Sequence, residues 1–299
     1  MRRWFALLLS SMLLVSASMF AQDAPMRPTV AEGTVEVRLR DASVLYGRIV
    51  EEDDTRIVLL TNSGSRVEIQ RAQIVSQRAV VGRSADGEFW TADPNPTRLF
   101  FTSTARPLPQ GEGYVASYLL FLPFVAYGVT DRFTLAGGTP ILPEAIGRIY
   151  YLAPKLTLLE RERSAFAIGG LGFINAAESD EGSVGIVYGV GTFGSREAAF
   201  TVGAGWGYAT DGSSSGLSND PVFVVGGETR VSRRVKLITE NWLFFGGDGG
   251  GGLVSGGVRF IGDRLSADLG VAGAVGESGG GCCVPLVNFV YSFGGRAPR

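Results

Sequence analysis

Histidine is absent from this 299-residue chain. Without an imidazole there is no Ser-His-Asp or Cys-His relay and the commonest metal ligand is missing, which weighs against both chemistries. Cysteine is nearly absent too, confined to the neighbours Cys282 and Cys283. Two sulfurs alone make a poor metal site; an oxidising compartment permits a vicinal disulfide, so the two read as a loop staple or a free pair. Charged residues are only 19% of the chain and the net charge is −2, so no basic field advertises nucleic acid as a partner. Long apolar runs are missing as well. The best internal candidate, residues 114–129, carries Pro123 and is rich in aromatic and branched side chains, which favours a strand over a helix. No catalytic residue, metal or cofactor is expected.

Glycine, in contrast, is abundant, at 43 residues. From Arg98 to Phe293, Gly-rich segments of alternating hydrophobicity are joined in turn by short charged connections and longer Gly/Ser-rich ones. The short ones are 130–132, 160–163, 194–197, 232–234 and 262–264, for example Thr130-Asp131-Arg132 and Gly262-Asp263-Arg264. They recur at about the length of two strands plus a loop, the grammar of an antiparallel up-and-down transmembrane β-barrel with tight turns on one side and long loops on the other. Candidate strands are 98–105, 113–129, 133–139, 149–159, 165–174, 183–193, 198–208, 221–231, 235–245, 253–261, 265–275 and 284–293. That is about twelve, an even number, with both ends of the barrel on the short-turn side.

Upstream, Arg2 and Arg3 precede an apolar stretch and small residues up to Ala21, the pattern of a signal peptide over 1–21. Residues 30–80 form a separate unit. Val35, Val37 and Leu39 alternate with Glu36, Arg38 and Arg40, and four more short strands follow. In strand count and spacing this unit resembles SH3-like or Sm-like small β-barrels, which implies a periplasmic interaction module or spacer with a protein partner. Residues 81–97 read as a linker and 98–293 as the barrel.

Strand parity assigns faces. Phe200, Val202, Ala204, Trp206 and Tyr208 share one face and Thr201, Gly203, Gly205 and Gly207 the other, so the first meets lipid and the second leaves room inside. Tyr150, Tyr151, Trp206 and Phe293 are candidates for interfacial girdles. The same parity turns Lys155, Glu228, Arg230, Arg259 and Asp268 inward. Glu240 shares its parity with the apolar Ile238, Trp242 and Phe244, so that face is inside or the strand is bulged, because a carboxylate in lipid is costly. These six residues read either as a selectivity or ligand-binding surface, or as an ion-paired network that satisfies itself inside the barrel. The G-x-G-x-x-G of 189–194 lies within a predicted strand followed by a charged turn. It has no helix whose N-terminus would hold a pyrophosphate.

Asp93-Pro94-Asn95-Pro96-Thr97-Arg98-Leu99-Phe100-Phe101, then Gly111-Glu112-Gly113-Tyr114 and Tyr127-Gly128-Val129-Thr130-Asp131-Arg132, resemble a group of uncharacterised bacterial outer-membrane β-barrel proteins. The resemblance implies fold and an outer-membrane location in contact with lipid, and no activity. The final strand ends on Phe293 like an outer-membrane insertion signal, although six residues follow it. The expectation is therefore a non-enzymatic outer-membrane barrel, a narrow pore or a structural envelope protein with a periplasmic module. The alternatives are an outer-membrane lipid-modifying enzyme and a soluble secreted β-protein.

Overall fold

The computed structural model describes residues 33–80, 82–85, 88–143, 145–175, 182–210, 215–245, 250–276 and 281–294, without the side chains of Ser84 and Cys282. The segment read as a signal peptide lies outside them.

The first unit is a five-stranded antiparallel sheet in the order β4-β3-β2-β1-β5. Its strands are β1 (Thr34–Leu39), β2 (Val44–Glu52), β3 (Arg56–Thr61), β4 (Arg66–Gln70) and β5 (Ile74–Ala79). Alternation places Val37, Ile57, Leu59 and Ile69 in one buried cluster. The β2–β3 connection is set by Asp53, whose carboxylate accepts from the Thr55 amide at 2.8 Å and the Arg56 amide at 2.9 Å. The hydrogen bond from the Thr55 hydroxyl and those two amides hold the Asp53 carboxyl below the usual carboxylate range.

The stretch read as a linker contains a short hairpin, β6 (Gly82–Ala85) and β7 (Glu88–Thr91). Its aromatic residues explain why it is ordered. Phe89 stacks on Tyr46 of β2 at 4.9 Å, and Trp90 lies against the guanidinium groups of Arg83 at 4.5 Å and Arg230 at 5.3 Å. Arg78 of β5 bonds to both Glu36 and Asp263, which ties the first unit to a short turn of the second.

The second unit is a closed antiparallel barrel of twelve strands, each paired with its sequence neighbour and the last with the first. Its strands are β8 (Gly113–Tyr118), β9 (Leu122–Gly128), β10 (Phe133–Gly138), β11 (Ile149–Arg161), β12 (Ser164–Asn175), β13 (Ser183–Gly194), β14 (Ala198–Thr210), β15 (Ser215–Ser232), β16 (Val235–Phe244), β17 (Gly251–Ile261), β18 (Leu265–Gly276) and β19 (Gly281–Phe293). The strand number matches the sequence pattern, but its composition differs in two places. Residues 98–105 are inside the barrel instead of forming a wall strand, and 113–129 is split by a tight turn at Leu119–Leu120 into β8 and β9. No helix among the described residues is long and apolar enough to cross a membrane. The barrel presents instead an apolar outer face, with Val115, Val125, Leu152, Leu156, Phe200, Phe260, Leu269 and Phe289 all exposed. Tyr151 departs from the girdle expectation: it points inward and donates its hydroxyl to the Pro123 carbonyl at 2.5 Å.

Two predictions follow from backbone spacing and from Asp53. A Cβ on Gly257 would lie 2.2 Å from the Leu269 carbonyl oxygen, whereas one on Gly189 meets nothing within 4 Å. Gly257→Ala is expected to lower the folded fraction seen as heat-modifiable gel migration, and Gly189→Ala to leave it unchanged. Because the folded-state pKa of Asp53 is depressed, its contribution is fully present above the unfolded value of about 3.9 and is lost as pH falls through the lowered folded value. Amide protection of Thr55 and Arg56 is expected to drop in that acid window, and Asp53→Asn to remove the pH dependence.

Candidate functional site

The site is built from the segment between the two units. Residues 93–109 enter the barrel at its short-turn mouth, bend through a bridge between Arg98 and Ser103, and return to the same mouth. Near the entry, the Ser292 hydroxyl donates to the Pro94 carbonyl at 2.6 Å; near the exit, Arg106 bonds to the Ser195 carbonyl of a short turn. Leu99 and Phe100 are fully buried against Ile238 and Leu286, and Ala105 against Ala165, Ala167 and Val190. Pro94 and Pro96 suit such a path because they bring no backbone N–H to be satisfied inside.

Arg259, on β17, holds the entry. Its guanidinium is bidentate to Asp268 at 2.7 and 2.9 Å and reaches Asp93 at 3.3 Å. It also donates to the carbonyls of Asn95 at 2.6 Å, Leu99 at 2.9 Å and Arg98 at 3.2 Å. Strand register makes this possible. Arg230, Lys236, Arg259, Asp268 and Asn288 are successive cross-strand partners from β15 to β19, so one row of polar side chains crosses five adjacent strands. Lys236 joins Asp93 at 2.7 Å to Glu228 at 3.0 Å, and Glu228 accepts from Arg106 at 2.5 Å. Asn288 donates to the Phe100 carbonyl at 3.2 Å.

The six residues singled out by parity are all buried and all but one bond directly to the inserted segment or to the ions that hold it. Lys155 donates to the carbonyls of Thr104 at 2.9 Å and Arg106 at 2.7 Å. Glu240 accepts from the amides of Phe101 at 2.9 Å and Thr102 at 3.1 Å, and from the Trp242 indole at 2.7 Å. Arg230 is the exception, pairing with Glu197 at 3.4 Å at the mouth. The parity difficulty at Glu240 has a simple origin: Ile238 also faces inward, because Leu99 and Phe100 give it an apolar partner there.

Three residues of the network lie outside those six. Asp93 and Arg106 lie in irregular backbone, which has no period to read. Lys236 shares its parity with Glu240, so the assignment that turns Glu240 inward turns Lys236 inward too. Among the described residues, Arg106, Lys236 and Arg259 face Asp93, Glu228 and Asp268, three charges against three. At the far end of the barrel Cys283 is disulfide-bonded and has a φ of +77°. The Cys282 side chain lies outside the described atoms.

Beyond the bend of the inserted segment, toward the long-loop end, lies a cavity of about 170 Å³. Tyr118, Phe124, Tyr151, Phe173, Tyr188 and Trp242 contribute to its wall, and the inward-facing Gly203 and Gly205 leave it room. Arg98 is the one charged residue in that lining. Among the described residues, no cluster of three or more His, Cys, Asp or Glu side chains has the arrangement to hold a metal ion.

Fold and interior together define a twelve-stranded transmembrane β-barrel occupied by its own preceding segment. No protein-family model and no curated protein matches the sequence. Among solved structures, the chain is similar to the KdgM porin in complex with disordered oligogalacturonate, at 7% identity and a TM-score of 0.45, covering 61% of this chain and 98% of that one. It is similar to a loop-deletion mutant of OmpT, an outer membrane protein of Vibrio cholerae, at 13% identity and a TM-score of 0.36, covering 87% and 96%. It is similar to Pseudomonas aeruginosa OccK7 at 9% identity and a TM-score of 0.36, covering 90% and 73%.

Removing one partner of a buried ion network strands the others, at a cost of about 3–5 kcal/mol. Arg259→Ala is therefore expected to lower stability by about that amount in urea titrations followed by tryptophan fluorescence. The paired change Arg259→Met with Asp268→Leu removes both charges together and is expected to cost less.

Proposed function

We propose that this protein is an outer-membrane β-barrel that works as a narrow, internally gated pore, with residues 93–109 as the gate. A single observation carries the reading: the inserted segment is held by ion pairs and by hydrogen bonds to its backbone. Such a segment blocks free diffusion in its seated position, yet both of its ends leave by one mouth, so it can move without opening the wall. The unit formed by β1 to β5 is read as a periplasmic module of the SH3-like or Sm-like kind, placed to bind an envelope protein and to bias the gate through Arg78 and Trp90. The six inward residues are the gate's seat in this reading instead of a selectivity filter.

A lipid-modifying enzyme is the weaker reading. Glu228 and Asp268, the carboxylates such an enzyme would use as bases, are each engaged by buried cations. Cys282 and Cys283 are read as a loop staple at the long-loop end.

Planar-bilayer recording of the full chain tests the gate. The wild type is expected to show little or no steady ion conductance, and Arg259→Met with Asp268→Leu to raise it clearly. Equal conductance from the two, with both folded by heat-modifiable migration, would remove the gating reading.

A further inference from the structure

The wall is not equally tall all round. β8, β9 and β10 have six, seven and six residues, whereas the other nine strands have 10 to 18. A tilted strand needs about 9–11 residues to cross the hydrocarbon layer, so three adjacent strands stop short of it. β19 pairs with β8 only from Asn288 to Phe293, which leaves its residues 281–287 with no strand partner on that side among the described residues. The result is a notch in the long-loop half of the wall.

The chemistry of the tip places this notch in lipid. β8 and β9 meet in a two-residue turn closed by the Phe121 amide on the Tyr118 carbonyl at 3.1 Å, with φ of +49° at Leu119 and +65° at Leu120. Such turns ordinarily carry Asn-Gly or Asp-Gly, because a bulky side chain is strained at positive φ. Here leucines occupy both positions, and Leu120 and Phe121 are about half exposed, at 48% and 52%. Ile141, Leu142 and Ile146 of the next connection are exposed as well, and the Ile141 amide bonds to the Phe121 carbonyl at 2.8 Å. An apolar turn that accepts backbone strain fits hydrocarbon and does not fit an aqueous rim.

Behind the notch is the aromatic cavity, and Tyr118 and Leu122, which flank the turn, belong to its wall. Its volume of about 170 Å³ is close to that of apolar cavities of about 150 Å³ that take up benzene, so it encloses a short stretch of chain and not a whole lipid. Its one charge is unusual. Arg98 donates to the Tyr114 hydroxyl at 3.0 Å and the Phe101 carbonyl at 2.9 Å and lies 4.9 Å from the Phe124 ring, but no carboxylate pairs with it among the described residues. The Tyr118 hydroxyl, on the same wall, is buried without a partner. A cation and an orphan hydroxyl at the base of an apolar cavity match a carboxylate carrying an alkyl chain.

We propose that the barrel takes up long-chain carboxylic acids sideways from the outer leaflet, through the notch between β19 and the β8–β9 turn. The carboxylate binds Arg98 and the Tyr118 hydroxyl, the first methylenes fill the cavity, and the rest of the chain lies across the notch. This rests on the outer-membrane reading above and names its substrate class.

The test uses the full-length protein in nanodiscs of zwitterionic phospholipid. The probe is a hexadecanoic acid with a mid-chain diazirine, and the adducts are mapped by mass spectrometry. Expected are adducts on Tyr118, Phe124, Tyr151 or Tyr188, competed by unlabelled hexadecanoic acid. Arg98→Gln should reduce them about tenfold, the loss of one charge-assisted contact, while a hexadecanol probe of the same design changes less. Ala153→Phe, which projects a larger side chain into the cavity from its own inward-facing wall, should abolish lumen labelling by both probes. Adducts confined to the outward residues Val115, Val125 and Phe289, on a folded and inserted barrel, would overturn the proposal alone. A chain that does not fractionate with outer membranes would overturn the outer-membrane reading and this one with it. A nitroxide at Leu120→Cys that is quenched better by a water-soluble reagent than by oxygen would overturn lateral entry.

Discussion

The architecture depends on the guanidinium of Arg259. It is fully buried, and its neutralisation needs both a wall partner, Asp268, and an inserted partner, Asp93. A polar barrel interior with nothing in it would leave that row of side chains to water. With residues 93–109 in place, the row instead satisfies backbone carbonyls that have no strand of their own. Wall and insert are therefore parts of one hydrogen-bonding problem, and neither has a complete solution alone. Lys236 extends the arrangement by sharing Asp93, so two cations on neighbouring strands converge on one carboxylate.

The barrel was largely legible in the sequence because the information that specifies it is periodic. Alternation along Phe200 to Tyr208, and charged short turns at regular spacing, declare strands, faces and the side on which the chain enters. The inward placement of Arg259, Asp268 and Glu228 followed from parity alone. What parity does not carry is the occupant. Residues 98–105 look like a strand because they are apolar, and they are apolar for another reason, since Leu99 and Phe100 meet Ile238 and Leu286 inside. Asp93 and Arg106 bond from irregular backbone, where no repeat exists to mark them. The same limit hid the β8–β9 turn: two leucines at positive φ break the usual turn chemistry, and a continuous apolar run shows no seam.

Glycine plays two different parts in this wall. At Gly257 the backbone of the neighbouring strand approaches so closely that any side chain collides with it. At Gly203 and Gly205 the position faces inward, and the absence of a side chain leaves volume beside Val190 and Ile186. The first use fixes strand packing and the second shapes the interior. Only a view of what lies opposite each position separates them.

The hairpin β6–β7 ends at Thr91 and the network begins at Asp93, so Ala92 is all that separates them. At the other end, Gly111 is already bonded to Gly128 of the wall, a few residues after Arg106. A segment fastened so tightly at both ends has almost no slack. Mechanically it is a short tether with a handle: a pull on the packed aromatic hairpin reaches Asp93 before any loop can absorb it, and loads its bonds to Lys236 and Arg259 first.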